Sequence, residues 1–214
     1  AIKSQGKNWD VLLFRLRIMY ASKWFKKANY WIFQTETSRA GFIHNLRVER
    51  SKTFVVPNAS SDVYTLSSKR GKRDLSQLKI LVPSAYYKHK NLEIIPYVAQ
   101  ILKERITSKD RKREFKFILT LPADLKPLGK INKRAEALGV ADTIENNGPF
   151  LICEGPHLYE NCTIMFLPTL LETFSASYLE AMAMDVPIVT TDMDFSREIC
   201  GAAAEYFQPT SAED

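Results

Sequence analysis

Two kinds of hydrophobic spacing divide the chain. Near its start, Trp9, Leu12, Leu13, Leu16, Ile18, Met19, Tyr20, Trp24 and Phe25 are interleaved with Arg15, Arg17, Lys23, Lys26 and Lys27, which predicts one amphipathic helix over 9–28. Tyr30 to Gln34 and Thr53 to Val56 are short β-rich runs, the second stopped by Pro57 and Asn58, with a helix expected near 37–47 between them. Residues 58–76 lose the apolar pattern to Ser, Lys and Arg and read as a linker or long loop. Beyond them the alternation is regular. Strands are expected at Leu78 to Val82, Phe115 to Leu121, Thr143 to Asn147, Ile164 to Pro168 and Ile188 to Thr191. Helices are expected near 91–104, 126–138, 157–162, 171–184 and 196–200. Strands and helices of these lengths in alternation predict an α/β fold, a Rossmann-like doubly wound parallel sheet. Ligands of such sheets sit beyond the carboxyl ends of the strands, at helix N-termini.

Composition narrows the picture. The longest apolar runs, such as Ile164 to Leu167, are far short of the roughly 20 residues of a membrane span. Cys153, Cys162 and Cys200 have no metal-ligand spacing and read as free thiols in a reducing cytoplasm. The net charge of +6 is unevenly placed: residues 141–214 carry 13 acidic side chains and one basic, Arg197, whereas the first 140 residues carry 29 basic and 11 acidic. A basic region of this kind fits an anionic partner, whether a phosphate-bearing ligand or an anionic membrane surface under the first helix. Nucleic acid is not expected, since no zinc-finger spacing, RNA-binding signature or heptad accompanies the charge. The runs Lys69, Arg70, Lys72, Arg73 and Lys109, Arg111, Lys112, Arg113 read as solvated loops and helix ends.

The candidate chemistry lies between Phe166 and Val189. A strand ends at Pro168, Glu172 stands in the turn after it, and Thr173, Phe174, Ser175, Ala176 and Ser177 lead into a helix that carries Glu180 eight positions after Glu172. Backbone amides of 173–177 and the positive helix end suit a diphosphate, and the small side chains allow its approach. Glu180 is placed to accept hydrogen bonds from sugar or ribose hydroxyls. Taken alone, a glutamate pair of this spacing is more often a solvated or salt-bridged surface pair.

The segment resembles the glutamate-x7-glutamate signature of retaining GT-B glycosyltransferases of family 4, the group 1 transferases. Glu172 and Glu180 match the two acids, Phe174 the aromatic, Ala181, Met182 and Ala183 the small run, and Pro187 and Val189 the next strand entry. Val55-Val56-Pro57-Asn58, Lys90, Gly148-Pro149-Phe150, Leu158-Tyr159 and Phe166-Leu167-Pro168 fall in the family's order, and the likeness covers about 30–210. Ser175 and Asp185 stand where the pattern has glycine, and Ser84 and Ala85 occupy the place of its usual arginine.

The resemblance implies catalytic roles for Glu172, which would contact the transferred sugar, and Lys90, which would offset charge on the leaving diphosphate. It implies donor binding by Glu180 through the ribose, by Thr173, Phe174, Ser175, Ala176 and Ser177 around the diphosphate, and by Phe150, placed by position alone beside the base. No metal and no cofactor are implied beyond the nucleotide-sugar co-substrate, UDP- or GDP-linked. The partners implied are that nucleotide sugar and a glycan or lipid-linked acceptor, with the protein cytoplasmic or peripheral on the inner membrane face, building cell-surface polysaccharide. The expected layout is the tail of an acceptor domain at 1–57, a linker at 58–76, and a donor-binding domain at 77–214 truncated at its C-terminal end. A non-catalytic nucleotide-sugar binding module and a GT-B epimerase remain as alternatives.

Overall fold

The computed structural model describes residues 8–66, 77–108 and 114–213, with side chains omitted at 8–11, 14, 66, 107 and 108. Both of the basic runs named above, 69–73 and 109–113, lie outside these residues. The chain divides into two compact units, Ala1–Pro57 and Asn58–Asp214.

In the first unit, α1 (Asn8–Phe25) precedes a parallel pair, β1 (Trp31–Phe33) and β2 (Thr53–Val55), joined through α2 (Glu36–Leu46). Thr35 caps α2 by accepting from the Ser38 amide at 3.1 Å, and Arg47 closes it in the left-handed region, φ 52°. Arg39 then bridges α2 to β2 by donating to the Thr53 hydroxyl at 2.8 Å. Phe42 gathers the rings of Phe25, Trp31 and Phe33. The first helix departs from the amphipathic expectation. Leu12, Leu13, Leu16, Ile18, Met19, Tyr20, Trp24 and Phe25 are all exposed. At about 100° per residue these positions spread around most of the circumference instead of forming one stripe.

The second unit is built on a six-stranded, all-parallel sheet. Its strands are β3 (Gln77–Val82), β4 (Glu114–Leu119), β5 (Ile144–Asn146), β6 (Ile164–Leu167), β7 (Ile188–Thr191) and β8 (Ala204–Phe207), in the spatial order β5-β4-β3-β6-β7-β8. Renumbered within the sheet this is 3-2-1-4-5-6, the dinucleotide-binding order, with its topological switch between β3 and β6. The pleat sends alternate side chains to opposite faces. Ile80, Val82, Phe117, Leu119 and Phe166 pack on one face with Ile95 and Ala99 of α4 (Ile95–Ser108) and Leu128 and Ile131 of α5 (Lys126–Ala137). Leu81, Ile118, Met165 and Leu167 pack on the other with α6 (Gly155–Glu160), α7 (Ala176–Ala183) and α8 (Asp194–Cys200), through Tyr159, Tyr178, Ala181 and Phe195. Each fully buried apolar side chain of this kind is worth about 1.5–3 kcal/mol. The doubly wound reading is therefore the observed fold.

Three local differences from the sequence reading bear on the site. The stretch expected to be a linker contains a helix, α3 (Asp62–Leu66), whose Tyr64 is 1% exposed. One buried aromatic in an otherwise polar stretch gives no periodicity to detect. The helix expected from 171 begins instead at Ala176, because Leu171 to Ser175 form an irregular turn ahead of it. Finally, Ala204–Phe207, which had no strand reading, pairs with β7 as the edge strand β8.

Candidate active site at the sheet switch point

The loops leaving β3 and β6 meet where the strand order reverses. After β3, Ser84 is drawn into the backbone network, its amide donating to the Thr120 hydroxyl at 3.2 Å. The chain then makes a single 3-10 turn, Lys88–Lys90, and Asn91 leaves it in the left-handed region, φ 55°. This turn is fixed to the β6 loop by the Leu170 amide, which donates to the His89 carbonyl at 2.7 Å. The β6 loop is in turn held from β7, where the Thr191 hydroxyl donates to the Thr169 carbonyl at 2.5 Å. Three strand ends thus fix one loop.

On this frame Lys90 and Glu172 form an ion pair through Nζ and Oε1, with side-chain exposures of 16% and 11%. The same carboxylate oxygen accepts from the hydroxyl of Thr169 at 3.0 Å. Thr169 was not singled out in the sequence, although its place just past the strand end was the available signal. Among the described residues after position 140 the only Lys or Arg is Arg197, which is engaged with Asp192 at 2.5 Å. Positive charge at the switch point therefore comes from the 88–90 turn. His89 there stacks on Tyr87, ring centroids 5.5 Å apart.

The α7 N-terminus follows the same loop. Ser175 is its cap residue, buried and extended, yet makes no side-chain cap bond. Thr173 and Ala176 are exposed, Phe174 and Ser177 half-buried. Ser177 donates to the Pro83 carbonyl at 3.3 Å, tying the start of α7 to the end of β3. A helix end with no capping side chain leaves amide donors and the positive end of the macrodipole for an anion. Asp185, which replaces a glycine of the family pattern, lies in the left-handed region at φ 58°, the conformation that glycine adopts without strain.

Glu180 is one turn into α7, half-buried. Its Oε2 accepts from the Tyr159 hydroxyl at 2.8 Å, and the Tyr64 hydroxyl faces the same carboxylate. Burial raises the pKa of Glu180, opposed by the hydroxyls of Tyr159 and Tyr64. Burial also pushes Tyr64 up to about 12, with the Glu180 charge adding to it, and likewise raises Tyr159 well above its ordinary value. Tyr159 had been noted only as part of a motif, and Tyr64 not at all. Phe150, half-buried, stands beyond the carboxyl end of the edge strand β5, three strands from β6. Its loop runs on into α6, which carries Tyr159.

Structural comparison finds the same architecture in several glycosyltransferases. The glycosyltransferase from Rickettsia africae superposes with a TM-score of 0.70 at 16% identity, over 90% of this chain and 53% of that one. TarM matches with a TM-score of 0.71 at 18% identity, over 92% of this chain and 36% of that one. HepE from Anabaena, solved in complex with UDP and glucose, matches with a TM-score of 0.66 at 15% identity, over 87% and 51%. The chain thus spans about half or less of the length of these proteins, and at such identities the likeness is one of fold, GT-B. Sequence comparison with curated proteins returned no match. The model of the family described as "Glycosyl transferases group 1" matches residues 78–214, the whole sheet with both of its helical layers and the switch-point loops. The chain belongs to the group 1 glycosyl transferases.

Proposed function

We propose that the switch-point site binds a nucleotide sugar, UDP- or GDP-linked, and that the protein containing this chain transfers the sugar, with retention, to a glycan or lipid-linked acceptor. The observation that carries this reading is the convergence of an ion-paired lysine and carboxylate, an uncapped helix end and a tyrosine-bonded carboxylate on the loops of β3, β6 and α7. Each meets one part of the ligand. The amides opening α7 and Lys90 receive the diphosphate, without a metal. Glu172 takes the sugar hydroxyls and Glu180 those of the ribose, while Phe150 borders the base. The complex of HepE with UDP and glucose makes UDP the first nucleotide to test.

In the reaction the bond between the anomeric carbon and the diphosphate oxygen breaks, one to an acceptor hydroxyl oxygen forms, and the proton of that hydroxyl passes to the departing diphosphate. Negative charge grows on the leaving diphosphate, where a fixed ammonium and oriented amides stabilise it most. Lys90 is held in the free protein by Glu172, so donor binding redistributes this pair: the ammonium turns to phosphate while the carboxylate turns to sugar. The exposed basic side chains Arg15, Arg17, Lys23, Lys26 and Lys27, beside exposed Trp24 and Phe25, support an anionic membrane surface as the place of work through charge rather than an amphipathic stripe, in keeping with a lipid-linked acceptor in polysaccharide assembly.

Calorimetric titration of Glu172→Gln tests the assignment. The variant is expected to lose affinity for the sugar nucleotide while keeping or gaining affinity for the bare nucleoside diphosphate, because Lys90 is released. Equal loss of both ligands would overturn the role given to Glu172.

A further inference from the structure

Glu180 is surrounded in an unusual way for a surface glutamate. From α6, Tyr159, fully buried, donates to its Oε2 at 2.8 Å. From α3, Tyr64, 1% exposed, faces the same carboxylate with its hydroxyl, close enough for the Glu180 charge to raise its pKa. The two rings meet edge to face with centroids 5.7 Å apart, so each fixes the other. Space for Tyr64 exists only because position 155 is glycine: a Cβ there would lie 2.0 Å from the Tyr64 hydroxyl oxygen. The titratable groups facing Glu180 among the described residues are these two tyrosines, and no cation competes for it.

A carboxylate that must receive ribose hydroxyls needs one orientation and its negative charge, yet a half-buried site favours the neutral acid and leaves the side chain free to rotate. A buried hydroxyl donor, Tyr159, braced by the ring of Tyr64 from a second helix, corrects both faults. It bonds to the ionised form and occupies one lone pair while leaving the rest for a ligand. We propose that Tyr64 and Tyr159 are positioning residues that clamp the Glu180 carboxylate for ribose recognition, with Gly155 admitting the Tyr64 hydroxyl. The ribose role rests on the nucleotide-sugar reading above, whereas the clamp itself does not. Its consequence is that α3, which begins soon after the boundary at Pro57, forms part of the donor site although it contributes no group to the ligand.

The test has two arms on the full chain. In the first, the Glu180 side chain, labelled with carbon-13 and assigned by its loss in Glu180→Gln, is titrated by NMR without ligand. Tyr64→Phe and Tyr159→Phe keep the rings and remove the hydroxyls, and each is expected to move the midpoint to higher pH. Gly155→Ala, which leaves both tyrosines in the sequence, is expected to act in the same direction as Tyr64→Phe. Unchanged midpoints in both phenylalanine variants would overturn the clamp.

In the second arm UDP and GDP are titrated as probes. Tyr159→Phe is expected to weaken the nucleotide that binds by about 5-fold, the effect of one hydrogen bond, and to add no further loss in a Glu180→Gln background. Equal losses in both backgrounds would show a merely structural tyrosine and overturn the positioning role. If neither nucleotide binds while the midpoints shift, the donor-site reading fails and the clamp stands.

Discussion

Replacing Lys90 by methionine keeps most of the side chain's volume and removes its charge, leaving Glu172 with a carboxylate that is 11% exposed in its side chain and bonded only to the Thr169 hydroxyl in the described network. Breaking a buried pair from one side costs about 3–5 kcal/mol. The residual exposure and the Thr169 bond put this site at the lower end, about 3 kcal/mol on that scale. At about 2–4 °C per kcal/mol for a chain of this size, the melting temperature should fall by roughly 6–12 °C. The cost should be asymmetric. Glu172→Gln leaves an ammonium on a flexible stem that can turn to solvent, so it should cost less than Lys90→Met. The glutamine also retains a carbonyl to accept from Thr169, so the double variant should recover most of the loss. Thermal unfolding of the four proteins by calorimetry decides the matter. An unchanged melting temperature in Lys90→Met, or no recovery in the double variant, would refute the view that Glu172 is held as a charged, poorly solvated group.

Three other outcomes follow from separate features. Burial raises the Glu180 pKa in the folded state above its ordinary 4.5, so the folded protein binds this proton more tightly than the unfolded chain, and Glu180 costs stability above its raised pKa. Glu180→Gln should therefore stabilise the chain at pH 7, with the gain shrinking as pH falls towards 4.5; a gain independent of pH in chemical denaturation would contradict this. Asp185→Gly should raise the unfolding free energy by up to about 1 kcal/mol, the strain of a left-handed aspartate less the extra freedom of unfolded glycine; a lower denaturation midpoint would show that the aspartate's own bonding outweighs its strain. Sedimentation with vesicles should carry the chain down when they contain anionic lipid, and Trp24→Ser with Phe25→Ser should weaken it; equal binding to neutral vesicles would remove charge from the explanation.

The strands and the switch-point loops were legible because each has a strong local cause. A buried strand such as Ile164–Leu167 is a continuous apolar run, and the Glu172–Glu180 spacing spans one turn and one helix start, so both survive in sequence as patterns. The Lys90–Glu172 pair joins residues 82 positions apart, and no sequence rule fixes such a contact. The family order nonetheless placed both residues at the site. Tyr64 was hidden for the opposite reason. Its helix is a single turn in a polar segment, held by contacts with α6 and α7 rather than by its own propensity. Likewise β8 is short, half-exposed and paired on one side only, so no alternation announced it. The first helix misled because apolar content was read as amphipathicity, when its angular spread leaves no polar face.

The most direct test of the donor site is amide chemical-shift mapping of the isotope-labelled chain during titration with UDP and then GDP. The account predicts that one of them shifts the backbone amides of 173–177, together with Lys90 and Glu180, in a single saturating process. Shifts confined to other surfaces, or none with either nucleotide while the protein is folded, would contradict it.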